Sequence, residues 1–272
     1  MLCFPFAKIN LGLAVLNKRS DGFHSIESLL YPIQMYDILE IIEDKTSRVD
    51  EFSVSGLALD IAREDNLVWK ALLFMRRHFD FPALKIHLHK QIPSASGLGG
   101  GSSDAAFTLK AINQLFQFAV DESTLKTYAA ELGSDCPFFI HSFAQYARGR
   151  GELLEPFELK ISSLKLLLII PDFSVSTQEA YAKIKSNKKQ TSPKEILNQP
   201  IENWKKHLKN DFEAVVFNDF PSLGAWKKEL YRKGAIFVSL SGSGSAMFAL
   251  FEKQIDLKPA GNYRFYWMNF PN

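Results

Sequence analysis

The sequence predicts a mixed chain of strands and helices, built as one large or two modest domains. Three observations carry this. The 272 residues exceed the ~100–200 usual for a single domain. Alternating runs such as Leu84-Lys85-Ile86-His87-Leu88-His89 read as strands, because successive side chains of a strand face opposite sides. Apolar residues at three- and four-residue spacing, as at Ala105, Leu109, Ile112 and Phe116, read as helix.

The strand and helix just quoted flank the stretch around which the chain is organised. It runs Pro93-Ser94-Ala95-Ser96-Gly97-Leu98-Gly99-Gly100-Gly101-Ser102-Ser103-Asp104-Ala105-Ala106. Glycine lets a ligand approach the main chain closely and permits positive φ. A helix start adds unpaired N–H groups and the positive end of the dipole. Strand, glycine loop and helix together make an anion site, most often for phosphate. The commoner phosphate loops fit poorly. No lysine follows Gly101, position 102 is serine rather than the third glycine of a dinucleotide fingerprint, and a protein-kinase glycine loop does not open a helix.

In chain order, residues 4–16 read as a strand carrying Lys8 and Asn10 on one face, either a solvated edge or part of a site. Lys18 to His24 is a turn centred on Asp21-Gly22. Residues 25–33, 37–43 and 52–56 resume strand character. Asp65 or Asn66 can cap a helix with Leu67, Ala71 and Phe74 on one stripe. After the glycine loop and its helix, Asp121 caps another that runs to Gly133. Asp135 then precedes Cys136-Pro137-Phe138-Phe139, an acid beside apolar bulk, which is a turn carboxylate or a partly desolvated general base. Ala147 to Glu152 is a glycine-rich turn, and Leu164 to Ile170 a buried strand. A helix follows with a capping box from Ser176 to Glu179. Residues 185–200, rich in Lys, Gln, Ser and Pro, read as a mobile loop. Helices follow at Asn210–Glu213 and Pro221–Arg232. The strand Phe237–Leu240 enters a second glycine loop, Ser241-Gly242-Ser243-Gly244-Ser245, and leaves it through Ala246–Phe251.

Bulk properties exclude several function classes. A formal net charge of +2 argues against a nucleic-acid surface, which needs a basic excess. Two cysteines, Cys3 and Cys136, make neither a disulfide framework nor a metal cluster by themselves. No signal peptide and no membrane-length apolar run are legible, so a cytoplasmic protein without a membrane partner is expected. Oligomeric state is not legible.

Three segments, Ala7-Lys8-Ile9-Asn10, Pro93–Ala106 and Ser241–Ser245, resemble in order and spacing the three motifs of the GHMP kinase superfamily. Further segments are similar to one branch of it, which phosphorylates a cytidine diphosphate-linked methylerythritol in non-mevalonate isoprenoid biosynthesis. These are Asp21–His24, Gly133–Phe139, Gly149–Glu152, Val175–Thr177 and Asn210–Glu213. The chain departs from that branch in Phe23, where tyrosine is usual, and in Ser134-Asp135-Cys136, where Ala-Asp-Val is frequent. The alternatives are a homoserine or mevalonate class kinase of the superfamily, or a member that binds ligand without catalysis.

The resemblance implies a two-domain α+β fold, the GHMP kinase fold. Residues 1–155 would form a ribosomal-protein-S5-domain-2-like domain with a left-handed βαβ unit, and 156–272 a ferredoxin-like domain, with the active site in the cleft between them. It implies ATP and Mg²⁺ as cofactors and the small-molecule substrate just described. Asp135 would be the catalytic base with Lys8 beside it. The ATP site would comprise Asn66 on the adenine side and Pro93, Ser94, Ala95, Ser96, Gly97, Leu98, Gly99, Gly100, Gly101, Ser102 and Ser103 around the phosphates. Ser102 or Ser103 would reach the metal. Asn10, Asp135, Thr177, Gly242 and Ser243 would border the substrate. Phe23 and Tyr181 would sandwich the cytosine, and His24 would read its edge.

Overall fold

The structure, a computed structural model, describes residues 1–184, 191–259 and 261–270. By packing it divides into two compact units, neither continuous in sequence. Met1–Ala7, Met35–Ser94 and Gly99–Ser142 form the first, and Lys8–Gln34, Ala95–Leu98 and Phe143–Asn272 the second. Leu13, Val15 and Ile26 share a buried cluster with Leu167, Val216 and Leu240, and Leu13 bridges Asn210.

The first unit holds a sheet in the order Leu2–Cys3, Ile38–Glu43, Leu84–Lys90, Glu51–Gly56. Glu51–Gly56 runs parallel to Leu84–Lys90. Parallel neighbours need a crossover, and the helix Leu67–His78 supplies it, giving a βαβ unit. That helix begins where Asn66 accepts the Val68 N–H at 2.9 Å, and it buries Val68, Ala71, Leu72 and Met75. It packs against the helix Gly100–Leu115, which in turn meets Glu122–Leu132 and the turn Cys136–Ile140. Asp121 caps Glu122–Leu132 by accepting the Thr124 N–H at 2.8 Å. Gly133 ends that helix at φ 174, extended backbone rather than a left-handed stop. Phe6 meets Phe107, Phe138 and Phe139 edge-on or tilted in this unit's core.

The second unit holds two sheets. One has the order Phe6–Lys18, His24–Tyr36, Gln145–Arg148, Leu153–Pro156, and the glycine-rich turn at 149–152 joins its last two strands. The other is antiparallel throughout, in the order Phe237–Leu240, Met247–Phe251, Lys165–Pro171, Tyr263–Asn269. In chain order this is second, third, first, fourth, the arrangement of a ferredoxin-like sheet. The connection from 252 to 262 contains no helix among its described residues. Lys165–Pro171 lies between two neighbours and is buried from Leu166 onward, as its apolar run requires.

The expectation of a loop over 185–200 divides. Residues 185–190 lie outside the described residues. Pro193–Leu197 is a helix, capped by the Ser192 hydroxyl, and it is followed by the short helical turns Ile201–Asn203 and Trp204–His207. Proline is favoured at a first helical position, where its missing N–H costs nothing. Among the described residues no helix is long and apolar enough to cross a membrane.

Candidate active site

In the second unit the three resemblance segments meet at one carbonyl. Lys8 and Asn10 share a face of the strand Phe6–Lys18, and at 3% and 2% exposure they are not a solvated edge. A buried ammonium must be hydrogen-bonded to persist. Lys8 Nζ donates to Asn10 Oδ1 at 2.6 Å and to the Gly97 carbonyl at 2.9 Å. Asn10 Nδ2 donates to Ser28 Oγ at 2.8 Å, and Ser28 Oγ donates to the Gly12 carbonyl. The Gly97 carbonyl takes a second bond, from Ser241 Oγ at 2.8 Å. Backbone bonds flank this point: Lys8 N–H to Leu98 O and Ala246 N–H to Ser96 O. Gly97 sits at φ +79, and a Cβ there would fall on the Ser241 carbonyl oxygen. Only glycine permits that approach.

The second glycine loop spans 241–246, between strands whose last pairing is Leu240 with Met247. Asn210 holds it from beneath. Its Nδ2 donates to the Leu240 and Gly242 carbonyls at 3.0 and 2.8 Å, and its Oδ1 accepts the Phe212 N–H. Asn210 is 3% exposed, so Asn210→Ala should leave buried carbonyls unpaired and cost about 1–3 kcal/mol. Urea denaturation would measure this, and a loss under about 0.5 kcal/mol would show that water replaces the bonds.

Two of the residues expected around the cytosine pack on each other. Tyr181 stacks face to face with His24, with ring centroids 5.3 Å apart at 21°, and meets Phe212 edge-on. A third ring between two others needs about 7 Å, two contact distances, so no base fits between His24 and Tyr181 as they stand. Phe23 is 51% exposed and lies under the Arg150 guanidinium at 5.1 Å. Thr177 Oγ1 and Ser243 Oγ are 2.9 Å apart. This ties the start of the helix Thr177–Lys183 to the second glycine loop, beside Gly242. Ser176 caps that helix, as expected, by accepting the Glu179 N–H at 3.3 Å.

The first unit holds the other part of the expected site. Its helix Gly100–Leu115 begins after Gly99, which is left-handed at φ 73. Ser94 and Gly101 are exposed; Pro93, Gly99 and Ser102 are partly exposed; Gly100 and Ser103 are buried. Of the part assigned to the second unit, Ala95 is exposed, Gly97 partly so, and Ser96 and Leu98 are buried. Ser102 hydrogen-bonds the Cys136 thiol, which burial pushes up to about 12. Asp135, partly exposed, stands at the start of the turn Cys136–Ile140, where its side chain makes no capping bond. Its carboxylate is thus not used as an ordinary turn cap. Asn66 is 6% exposed, and its Oδ1 serves as the helix cap already described.

Sequence reasoning missed a buried ion cluster in the first unit. Lys90 Nζ donates to Asp37 Oδ2, and to Asp104 Oδ2 at 2.7 Å. Asp37 Oδ1 also accepts the Gln91 and Ile92 N–H groups. The signal was present, since alternation from Leu84 through Ile86 and Leu88 puts Lys90 on the buried face.

Two family models match this chain: the GHMP kinases N terminal domain over residues 66–143 and the GHMP kinases C terminal domain over 194–262. A 4-diphosphocytidyl-2-C-methyl-D-erythritol kinase of Bacteroides thetaiotaomicron is 45% identical over 256 residues, covering 93% of both chains. One of Porphyromonas gingivalis is 44% identical over 96% of this chain and 95% of its own. A crystal structure of a 4-(cytidine 5'-diphospho)-2C-methyl-D-erythritol kinase superposes with a TM-score of 0.77 at 33% identity, covering 92% of this chain and 90% of that one. A homoserine kinase from Cytophaga hutchinsonii shares the fold at 19% identity, with a TM-score of 0.68 over 97% of this chain and 94% of its own. The chain therefore belongs to the GHMP kinases, in the family of the 4-diphosphocytidyl-2-C-methyl-D-erythritol kinases.

Proposed function

We propose that this chain transfers the γ-phosphoryl of ATP to a hydroxyl of 4-diphosphocytidyl-2-C-methyl-D-erythritol, with the two glycine loops and Lys8 as its phosphate-handling parts. The observation that carries the reading is the meeting of Lys8, Asn10, Gly97 and Ser241 around the Gly97 carbonyl. Phosphoryl transfer asks a protein for positioning and charge neutralisation, and for a group to take the acceptor's proton. Lys8 is a cation whose direction is fixed by two acceptors, so it is preorganised toward developing negative charge. The backbone N–H groups at the start of Gly100–Leu115 offer the dipole-assisted donors that phosphates take. Asp135 takes the proton from the acceptor hydroxyl. Asn10, Thr177, Gly242 and Ser243 border the acceptor.

Mg²⁺ on nucleotide phosphates needs only one or two protein oxygens. Among the described residues no three His, Cys, Asp or Glu side chains converge as a ready-made metal site, which suits an ion carried in on phosphate. Of the two candidate serines, Ser103 is fully buried, with its hydroxyl unpartnered. Ser102 is partly exposed and is the one that fits. When bound, the ion supplies neutralisation of phosphate charge.

ADP release with a panel of acceptors tests the reading. The cytidine diphosphate-linked methylerythritol should be turned over, with homoserine and mevalonate inert; the reverse preference would sink it. Gly101→Val tests the loop separately. In the free protein a Cβ at Gly101 meets only Leu67 Cδ1, at an ordinary 3.8 Å, and valine is no worse than glycine in a helix. Folding should survive while KM for ATP rises by about tenfold, because the side chain occupies the space a phosphate would enter. Unchanged KM for ATP would reduce the loop to a turn.

A further inference from the structure

Three groups in the first unit are buried, ionisable and unused by the reaction as described. Lys90 is 3% exposed, Asp37 0% and Asp104 2%. Removing ions from water is costly, and mutual pairing only partly offsets it, so the cluster is weak as a device for stability alone. Its connections are more informative than its burial. Lys90 ends the strand Leu84–Lys90. Asp37 binds Lys90 and also the N–H groups of Gln91 and Ile92, the first residues on the way to the glycine loop. Asp104 lies in the first turns of the helix that leaves that loop. A Cβ on Gly100 would lie 3.2 Å from Lys90 Nζ, so the ammonium sits directly behind the helix's first residue. The glycine loop is therefore anchored before and after by one cation.

We propose that Lys90, clamped between Asp37 and Asp104, is a positioning residue for ATP, holding the two ends of the glycine loop in phosphate-binding register and placing its charge behind the helix start. This rests on the reading of that loop as the phosphate site. One consequence separates the role from plain structural support. The effect falls on ATP and not on the acceptor, because the cluster touches only the loop's ends.

The test is steady-state kinetics of the native enzyme, Lys90→Met, Asp104→Ala and Asp104→Asn, in ATP and in acceptor. Lys90→Met should raise KM for ATP about tenfold with the acceptor KM within about twofold. Asp104→Ala, which removes the helix-side acceptor of Lys90, should raise KM for ATP as well, and Asp104→Asn, which keeps an acceptor there, should restore it to within about threefold of native. A folded Lys90→Met enzyme with native KM for ATP, or with both KM values raised alike, overturns the proposal. So does an Asp104→Ala enzyme with native KM for ATP, or an Asp104→Asn enzyme as impaired as Asp104→Ala. If Lys90→Met lacks a cooperative thermal transition, the two Asp104 variants decide. Gly101→Val distinguishes the two levels: if it leaves KM for ATP unchanged the loop reading itself fails, whereas a Gly101→Val effect without a Lys90 effect removes only this inference.

Discussion

Asp135→Asn should lower kcat by about 10²–10⁴-fold, the usual cost of removing a general base, with KM for ATP within about twofold. The substitution is nearly isosteric and replaces a carboxylate that can accept a proton by a neutral amide that cannot. The Asp135 side chain makes no capping bond to the turn that follows it, and the bond from Phe138 N–H is to the Asp135 main-chain carbonyl, which asparagine keeps. Single-turnover measurement of phosphoryl transfer reads the chemical step directly. A kcat within about threefold of native would remove Asp135 from the mechanism, because such a small change is far below the loss expected of a general base. Lys8→Ala is the poorer probe. It would strip a donor from both Asn10 Oδ1 and the Gly97 carbonyl and so mix lost charge with a collapsed site.

The sequence showed most clearly what depends on local pattern. Strand alternation, helix stripes, the caps at Asn66 and Asp121 and the glycine loop all lie within a few residues of their cause. It showed least where partners are far apart along the chain. Lys8 and Asn10 fit a solvated strand edge as well as a site, and their burial with Ser28 and Gly97 rules out the edge. The Lys90 cluster joins positions 53 and 14 residues away, a pairing no spacing rule reaches. Pro193–Leu197 was hidden for another reason. Its polar, proline-bearing composition reads as loop, while Ser192 and Pro193 in fact make a capped start with proline at the first helical position. Tyr181 was placed by helical spacing from Thr177, but spacing along one helix says nothing of the ring it meets, and that ring is His24.

The His24–Tyr181 stack changes how a cytosine would be held, and it leads to the second large effect. We propose that the base lies against an outer face of this pair rather than between its rings. The stack then serves as a platform, and a neutral imidazole offers one donor and one acceptor toward a base edge. Cytosine and uracil differ in that edge: an amino donor and a ring acceptor in one become a carbonyl acceptor and a ring donor in the other. Groups matched to cytosine are left unpaired by uracil, at about 1–3 kcal/mol for each group so stranded. The cytidine substrate should therefore be favoured over its uridine counterpart by about 10²-fold in kcat/KM, short of the roughly 10⁴–10⁵ of a fully enclosed polar pocket, because His24 is only partly buried. His24→Ala should remove most of this preference. Tyr181→Ala should raise KM for both nucleotides, since stacking is indifferent to the edge, and neither change should move KM for ATP. Phe23→Ala separates the platform from the expected sandwich: loss of its exposed ring should alter KM for the cytidine substrate less than loss of Tyr181 does. Equal use of the two nucleotides by the native enzyme would sink the assignment of His24, and a larger effect at Phe23 than at Tyr181 would restore the sandwich.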